Sequence, residues 1–514
     1  MTDQIEPVTE QPSGPRPHHM LDRSLLLGIA WTGGMRWATQ IIRWVVTFAI
    51  ARVLTPADYG VFGMAMVFHQ FVGTVQDVGL QDAIIRQRDL TDDEIARLSG
   101  LSLLYGVAFA ALSVALAGPI ASFYREPSVR WILIVLAPVT ILNALQIPPR
   151  AMLARELRFG SIAWIDGVAG VSLPLATLGF ALAGAGYHAL AYAALTSELL
   201  TTVAAFAISP RRVALPRRAS RLRAPSLLGL HVALHRVAVY AYSNADFAII
   251  SFTLGKVALG AYTFAWAIAT IPVDRVSALV AEVVPGIFAA VQHDIAALRR
   301  YWIGTTEGLA FFILPVAGGL AVAADDIVLV ALGDQWRGAI MPLRFLAVYG
   351  AIRSLALMLS PVLIATGHAR RNLDRTLIAV VLMPILFFIG SRWGLTGVAA
   401  GWIVGYPLAS LPAYLLTLRL LQMTPGDYLR AIWPALSATL VMVVTVALVR
   451  LVAAEWPLVA RFALEVTVGA ATYAGLVFFQ HRGRVEAFLA VLRAARRGQA
   501  APTAADSTGS LIAP

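Results

Sequence analysis

The chain contains no cysteine, which excludes disulfides, thiolate nucleophiles and cysteine-ligated metals. Lysine is nearly missing too: of the 40 basic residues, only Lys256 is not an arginine. Charged residues of both signs make up 13% of the 514 residues and hydrophobic ones 59%. A water-soluble domain of this length would not have the polar surface to cover itself, so the bilayer must serve as solvent. No GxxxxGK[ST] segment occurs, and ATP hydrolysis on such a loop is therefore not the energy source within this chain. There is no HExxH either; His231 and His235 lie four apart without a third ligand and read as packing or hydrogen-bonding residues. The residues before Leu21 lack a short apolar core with a small-residue cleavage site and read as a Pro-rich cytoplasmic tail.

What the chain has instead is long apolar runs. A spanning helix needs roughly 20 apolar residues, and such runs fall near 25–51, 59–80, 99–120, 130–148, 161–183, 186–208, 227–252, 259–281, 302–324, 343–366, 376–391, 394–418, 431–449 and 457–479. The second half echoes the first at an offset of 200: Arg36, Ala38, Ile50, Leu54, Gly60 and Ala65 recur as Arg236, Ala238, Ile250, Leu254, Gly260 and Ala265. A weaker echo relates Gly186–Ala193 to Gly394–Gly401. Both copies open in the same direction after six spans, so the repeats are parallel, about an axis along the membrane normal. The predicted fold is an all-α polytopic membrane protein of about 14 spans, two six-helix lobes plus two extra C-terminal helices.

Arginine is concentrated in the segments that two cytoplasmic termini would place inside. The expected organisation is a disordered cytoplasmic tail over 1–22, an N-terminal lobe over 23–209 and a basic linker over 210–225. A C-terminal lobe over 226–422, two further spans within 423–480 and a cytoplasmic tail over 481–514 follow. The net charge of +11 is spread over many short segments. It suits anionic inner-leaflet lipids, not a nucleic-acid-binding face.

Four segments carry a family resemblance: ARVLTPADYGVFGMAMVF (Ala51–Phe68), DVGLQDAIIRQ (Asp77–Gln87), PPRAMLARELRFGSIAWIDGVAG (Pro148–Gly170) and SNADFAIISFTLG (Ser243–Gly255). They resemble the polysaccharide-transport family, the exopolysaccharide and O-antigen flippases of the multidrug/oligosaccharidyl-lipid/polysaccharide exporter superfamily. The resemblance covers roughly residues 20–440 and implies two six-helix lobes around a central cavity. It also implies movement of undecaprenyl-pyrophosphate-linked oligosaccharide repeat units from the cytoplasmic to the periplasmic leaflet of the bacterial inner membrane. The lipid-linked oligosaccharide, membrane lipids and the polymerase and chain-length regulator of the same pathway are the implied partners.

Such cargo is anionic at the pyrophosphate, so the cavity should be cationic. Charges within spans are costly, about 2.5–3.5 kcal/mol for Arg or Asp at a helix centre, and tend to mark a pathway or a pair. In the first span Arg36, Gln40 and Arg43 share one face, and the repeat places Arg236, Tyr240 and Ser243 at the equivalent positions. Arg36 and Arg236 read as a pseudo-symmetric pair for phosphate oxygens; Arg275 and Arg353 are further cationic candidates. Asp77, Glu198, Asp246 and Glu307 are candidates for pairing these cations or for coupling to a proton or sodium gradient, and Arg461 with Glu465 reads as an intrahelical ion pair. No cofactor or metal is expected. Two other readings are a repeat-unit polymerase or ligase and a multidrug exporter. The first would carry a long outward loop, whereas the longest outward connection here runs only from Asp325 to Pro342; the second would favour acids over arginines.

Overall fold

The computed structural model describes residues 45–76, 81, 84–85, 90–210, 213–214 and 227–480, and among these the regular structure is helical, with no strand. The first half holds α1 (Val45–Val53), α2 (Pro56–Gln76), α3 (Asp92–Tyr124), α4 (Ser128–Arg155), α5 (Phe159–Leu182) and α6 (His188–Ile208). The second half holds α7 (Leu227–Ser243), α8 (Ala245–Thr253), α9 (Gly255–Ala290), α10 (Ile295–Val322), α11 (Ala324–Ala331), α12 (Ile340–Leu355), α13 (Leu359–Ala365), α14 (Arg370–Gly390) and α15 (Gly394–Leu420). Two more, α16 (Pro425–Val452) and α17 (Leu458–Gln480), follow. The expected tails, most of the basic linker, Arg36, Gln40, Arg43 and Asp77 lie outside the described residues.

Local chemistry starts several of these helices. Thr55, Thr91 and Thr424 each accept the backbone N–H of the acidic residue three positions on, at 3.3, 3.3 and 3.2 Å. Asp58, Glu94 and Asp427 in turn each accept the threonine's own N–H at 2.9 Å. This reciprocal cap satisfies donors that a helix start otherwise leaves unpaired.

Among the described residues, ten helical stretches are long and apolar enough to cross a membrane, or eleven when α1 and α2, bent by 109°, are counted as one. One stretch, Arg370–Leu420, reverses at the turn Ser391–Trp393 into the antiparallel pair α14 and α15. A Cβ on Gly390 would lie 2.4 Å from the Gly397 carbonyl oxygen, while Gly401 faces Phe387 and Gly405 faces Met383. The count is compatible with fourteen spans. Two expectations need refining. The seventh span is two helices, α7 and α8, joined at Asn244 without a proline. The connection from Asp325 to Pro342 contains α11 and a 3-10 turn over Asp334–Ala339.

The repeat is visible as a reciprocal contact where α2 crosses α9. A Cβ on Gly60 would lie 1.7 Å from the Lys256 carbonyl oxygen, and one on Gly260 would lie 1.8 Å from that of Pro56. Gly60 and Gly260, like Pro56 and Lys256, are 200 positions apart, so each copy presents the same glycine to the same point on the other's backbone. Only glycine allows helices this close.

Around this crossing the two halves seal one end of the molecule. Trp336 Nε1 and Gln335 Nε2 donate to the Ala51 carbonyl at the end of α1, at 2.8 and 2.9 Å, and Arg52 donates to the Val330 carbonyl at 2.9 Å. The rings of Tyr59, Phe264 and Trp336 pack edge to face, and Phe123 stacks on Phe252 with centroids 4.9 Å apart. The single lysine, Lys256, crosses to Glu126 of the other half at 2.7 Å. Burial would raise the Glu126 carboxyl, but hydrogen bonds from Lys256 and Ser128 and the lysine charge outweigh it and hold the group below its ordinary value.

At the same end a cluster of charges fastens α16 and α17 to the second half. Arg344 and Arg450 converge on Asp325, the latter at 2.7 Å. Arg461 grips both oxygens of the fully buried Asp326 at 2.5 and 2.7 Å. Arg461 is thus committed to α11, 135 positions away in sequence, and Glu465 is buried beside that pair. The expected pairing of Arg461 with Glu465 within α17 gives way because Asp326 offers two oxygens to the planar guanidinium fork.

Candidate functional site

A cavity of about 1200 Å³ lies between α7 and the helices α2, α4, α5 and α6. Its α7 wall carries His235, Arg236, Tyr240, Ser243 and Asn244, while the opposite walls bring His69, Gln70, Thr74, Asn143, Ser197 and Glu198. Helical spacing explains this polar lining: 236, 240 and 243 follow one another by four and three residues and therefore share a face of α7, with Asn244 just past its end. Tyr240 is fixed by its hydroxyl, which donates to the Val67 carbonyl of α2 at 2.5 Å, and its ring meets Phe71 at 5.9 Å. Asn244 at the break donates back to the Tyr240 carbonyl at 3.1 Å.

A second, smaller space of about 430 Å³ opens off this cavity inside the first half, sharing His69, Gly73, Asn143, Ala169 and Glu198 as walls. Its polar lining comes largely from α4, where Thr140, Asn143, Gln146 and Arg150 are spaced by three, three and four. Gln146 organises it. The Gln146 amide nitrogen donates to a Glu198 carboxylate oxygen and to Thr202 Oγ1 at 2.9 Å, and its oxygen accepts from Arg150 Nε at 3.2 Å. Arg150 is itself paired with Asp166 at 2.7 Å. Gln76 of α2 donates to the Thr140 carbonyl at 3.1 Å, tying the two walls together.

The structure thus brings Arg236, Tyr240 and Glu198 to one cavity and leaves other candidates elsewhere. Asp246 is fully buried in the second half, where one oxygen accepts the Tyr262 hydroxyl at 2.6 Å and the Trp402 indole at 2.9 Å. Arg353 pairs with Asp274 at 2.7 Å, within electrostatic reach of Tyr349, Tyr406 and Tyr242. Arg275 is exposed on α9 and Glu307 half-buried on α10; neither residue, nor Arg353, is a wall of the cavity. His235 faces the cavity, but among the described residues no group of three or more His, Cys, Asp or Glu could hold a metal.

Reading the sequence for charge missed His69, Gln76, Thr140, Asn143 and Gln146. Their signal is a polar stripe on α4 and another on α2, where 69, 73 and 76 share a face.

The family described as "Polysaccharide biosynthesis protein" matches residues 49–341. A membrane protein of the cps region of Klebsiella pneumoniae is 23% identical over 438 residues, covering 84% of this chain and 89% of its own length. The succinoglycan biosynthesis transport protein ExoT of Rhizobium meliloti is 22% identical, covering 94% of this chain and 98% of its own. In fold, the chain is similar to the lipid II flippase MurJ in an inward closed conformation, with a TM-score of 0.68 over 87% of this chain and 99% of that one, at 13% identity.

Proposed function

Because the chain belongs to the polysaccharide biosynthesis protein family, matched over more than half of its length, we propose that it is a flippase for lipid-linked oligosaccharide repeat units and not an enzyme. It carries undecaprenyl-pyrophosphate-linked units from the cytoplasmic to the periplasmic leaflet during exopolysaccharide, capsule or O-antigen assembly. The observation that carries this reading is a polar cavity of about 1200 Å³, cationic on its α7 wall, standing against an inter-lobe seal at the Gly60–Gly260 crossing.

The physics of the task fits that arrangement. A pyrophosphate and a hydrated glycan cross a region where each unpaired polar group costs several kcal/mol, while the isoprenoid tail stays in hydrocarbon. Polar walls replace the lost water, and Arg236 offers phosphate a charged planar donor. With both termini cytoplasmic, as the arginine distribution favours, the seal is periplasmic and the cavity is poised to load from the cytoplasmic leaflet. Release then requires the seal of Gly60, Gly260, Trp336 and Lys256 to open while the far end closes. A proton or sodium gradient is the proposed drive, with the half-buried Glu198 of the first half and the buried Asp246 of the second as its candidate acids; flipping in proteoliposomes that ignores both gradients would remove this part.

The deciding experiment is to locate lipid-linked repeat units after depleting the protein from its host. Their accumulation in the cytoplasmic leaflet is expected; single units accumulating in the periplasmic leaflet would point instead to a polymerase or ligase.

A further inference from the structure

Phosphate recognition explains the α7 wall but leaves the 430 Å³ side chamber without a task. We propose that this chamber is a recognition subsite for a neutral, hydroxyl-rich sugar residue of the carried glycan, held there while Arg236 takes the anionic end. The inference rests on the flippase reading and deepens it: discrimination among glycans lies in the first half of the chain.

Three observations point to such a ligand. The first is an unused hydroxyl. Thr177, Thr201 and Thr202 return their Oγ1 protons to the carbonyl four residues back, all at 2.7 Å, the habit of threonine in membrane helices. Thr140 Oγ1, on a chamber wall residue only 2% exposed, is buried with no hydrogen-bond partner among the described residues, and an unmet buried hydroxyl costs free energy unless a ligand meets it.

The second is charge. Glu198 is a carboxylate, and the Arg150 guanidinium is already committed to Asp166 and Gln146. A phosphate entering here would meet a carboxylate with no uncommitted guanidinium to oppose it. A sugar hydroxyl can donate to Glu198 and also accept from Asn143 or Thr140. The third is size and position. The volume lies within the roughly 300–1,000 Å³ typical of small-ligand pockets, and the chamber opens directly into the cavity that holds Arg236.

The test compares two probes on the full-length protein in nanodiscs: undecaprenyl pyrophosphate without sugar, and the lipid-linked oligosaccharide fraction extracted from the producing host. The wild type is expected to bind the sugar-bearing lipid at least about tenfold more tightly, the worth of one well-met hydrogen bond. Thr140→Val, which keeps the shape and removes the hydroxyl, is expected to cut that preference about tenfold. Thr140→Leu, which also adds bulk to the chamber wall, should abolish it, and both variants should bind the bare lipid as the wild type does. A wild-type preference retained by both variants overturns the inference, as does equal weakening toward both lipids, which marks a structural role. A folded wild type that binds both probes equally overturns the subsite and leaves the flippase reading standing; one that binds neither overturns both.

Discussion

The two halves descend from one pattern yet are filled in opposite ways. In the first, α4 turns Thr140, Asn143, Gln146 and Arg150 toward open space. In the second, α12 contributes Tyr349, whose ring stacks on Trp402 at 4.6 Å and joins Trp266 and Tyr406 in a closed aromatic core around the buried Asp246. Among the described residues α4 thus lines a polar chamber in one half, where α12 in the other faces a packed aromatic core. A repeat architecture therefore need not fill its two halves alike: Gly60 and Gly260 cross as duplicates, while the linings supplied by α4 and α12 have diverged.

The sharpest way to break this comparison is to block the shared crossing. Gly60→Leu or Gly260→Leu drives a side chain into backbone less than 2 Å from its Cβ. Overpacking of this kind costs about 1–3 kcal/mol or more. Both variants should lose polymer export completely, with cysteine labelling at the sealed end rising in both alike; loss in only one would break the pseudo-symmetry. Next comes Trp402→Ala in the packed aromatic core. It opens a cavity and leaves Asp246 short of a donor, an expected loss of about 3–5 kcal/mol measured as thermal unfolding in detergent. The matching change in the polar chamber, Asn143→Ala, should leave stability within about 0.5 kcal/mol, since it enlarges an existing space.

Arg236→Ala is expected to lower export about tenfold to a hundredfold at normal expression, the range for losing a charge-assisted bond of about 1.5–3 kcal/mol, and Lys should recover part of it. Trp336→Phe removes one hydrogen bond to Ala51 while Gln335 keeps another, so about 1 kcal/mol should go from the sealed state, read as faster labelling at that end. The smallest effect concerns pH. Burial would raise Asp325, but hydrogen bonds and charge from Arg450 and Arg344 prevail and hold it below the ordinary 3.8. The stability it supplies is therefore present above that value and lost as pH falls through the lower folded one. Docking of α16 and α17, followed by limited proteolysis, should weaken only in strong acid.

Much of the frame was legible in the sequence because bilayers demand long apolar runs and because a glycine pair that carries a contact leaves a mark at a fixed offset. Arg236 and Tyr240 could be placed by that offset. The polar chamber was harder to see, since Asn143, Gln146 and Thr140 bear no charge and threonine is common in membrane helices for its own back-bonding. The break at Asn244 carries no proline to announce it. Arg461 invited the wrong partner because Glu465 is one turn away, whereas Asp326 is 135 positions distant and is brought near only by the tertiary fold.

The position of the Gly60 contact along α2 has a mechanical consequence. Measured at 1.5 Å per residue, about 6 Å of helix lies on one side of that fulcrum and about 24 Å on the other. A tilt of about 10° would swing the long arm by about 4 Å and the short arm by only about 1 Å. Leverage of this ratio lets the long arm of α2 sweep outward while the short arm at the crossing hardly parts, so opening at one end is separated by geometry from opening at the other.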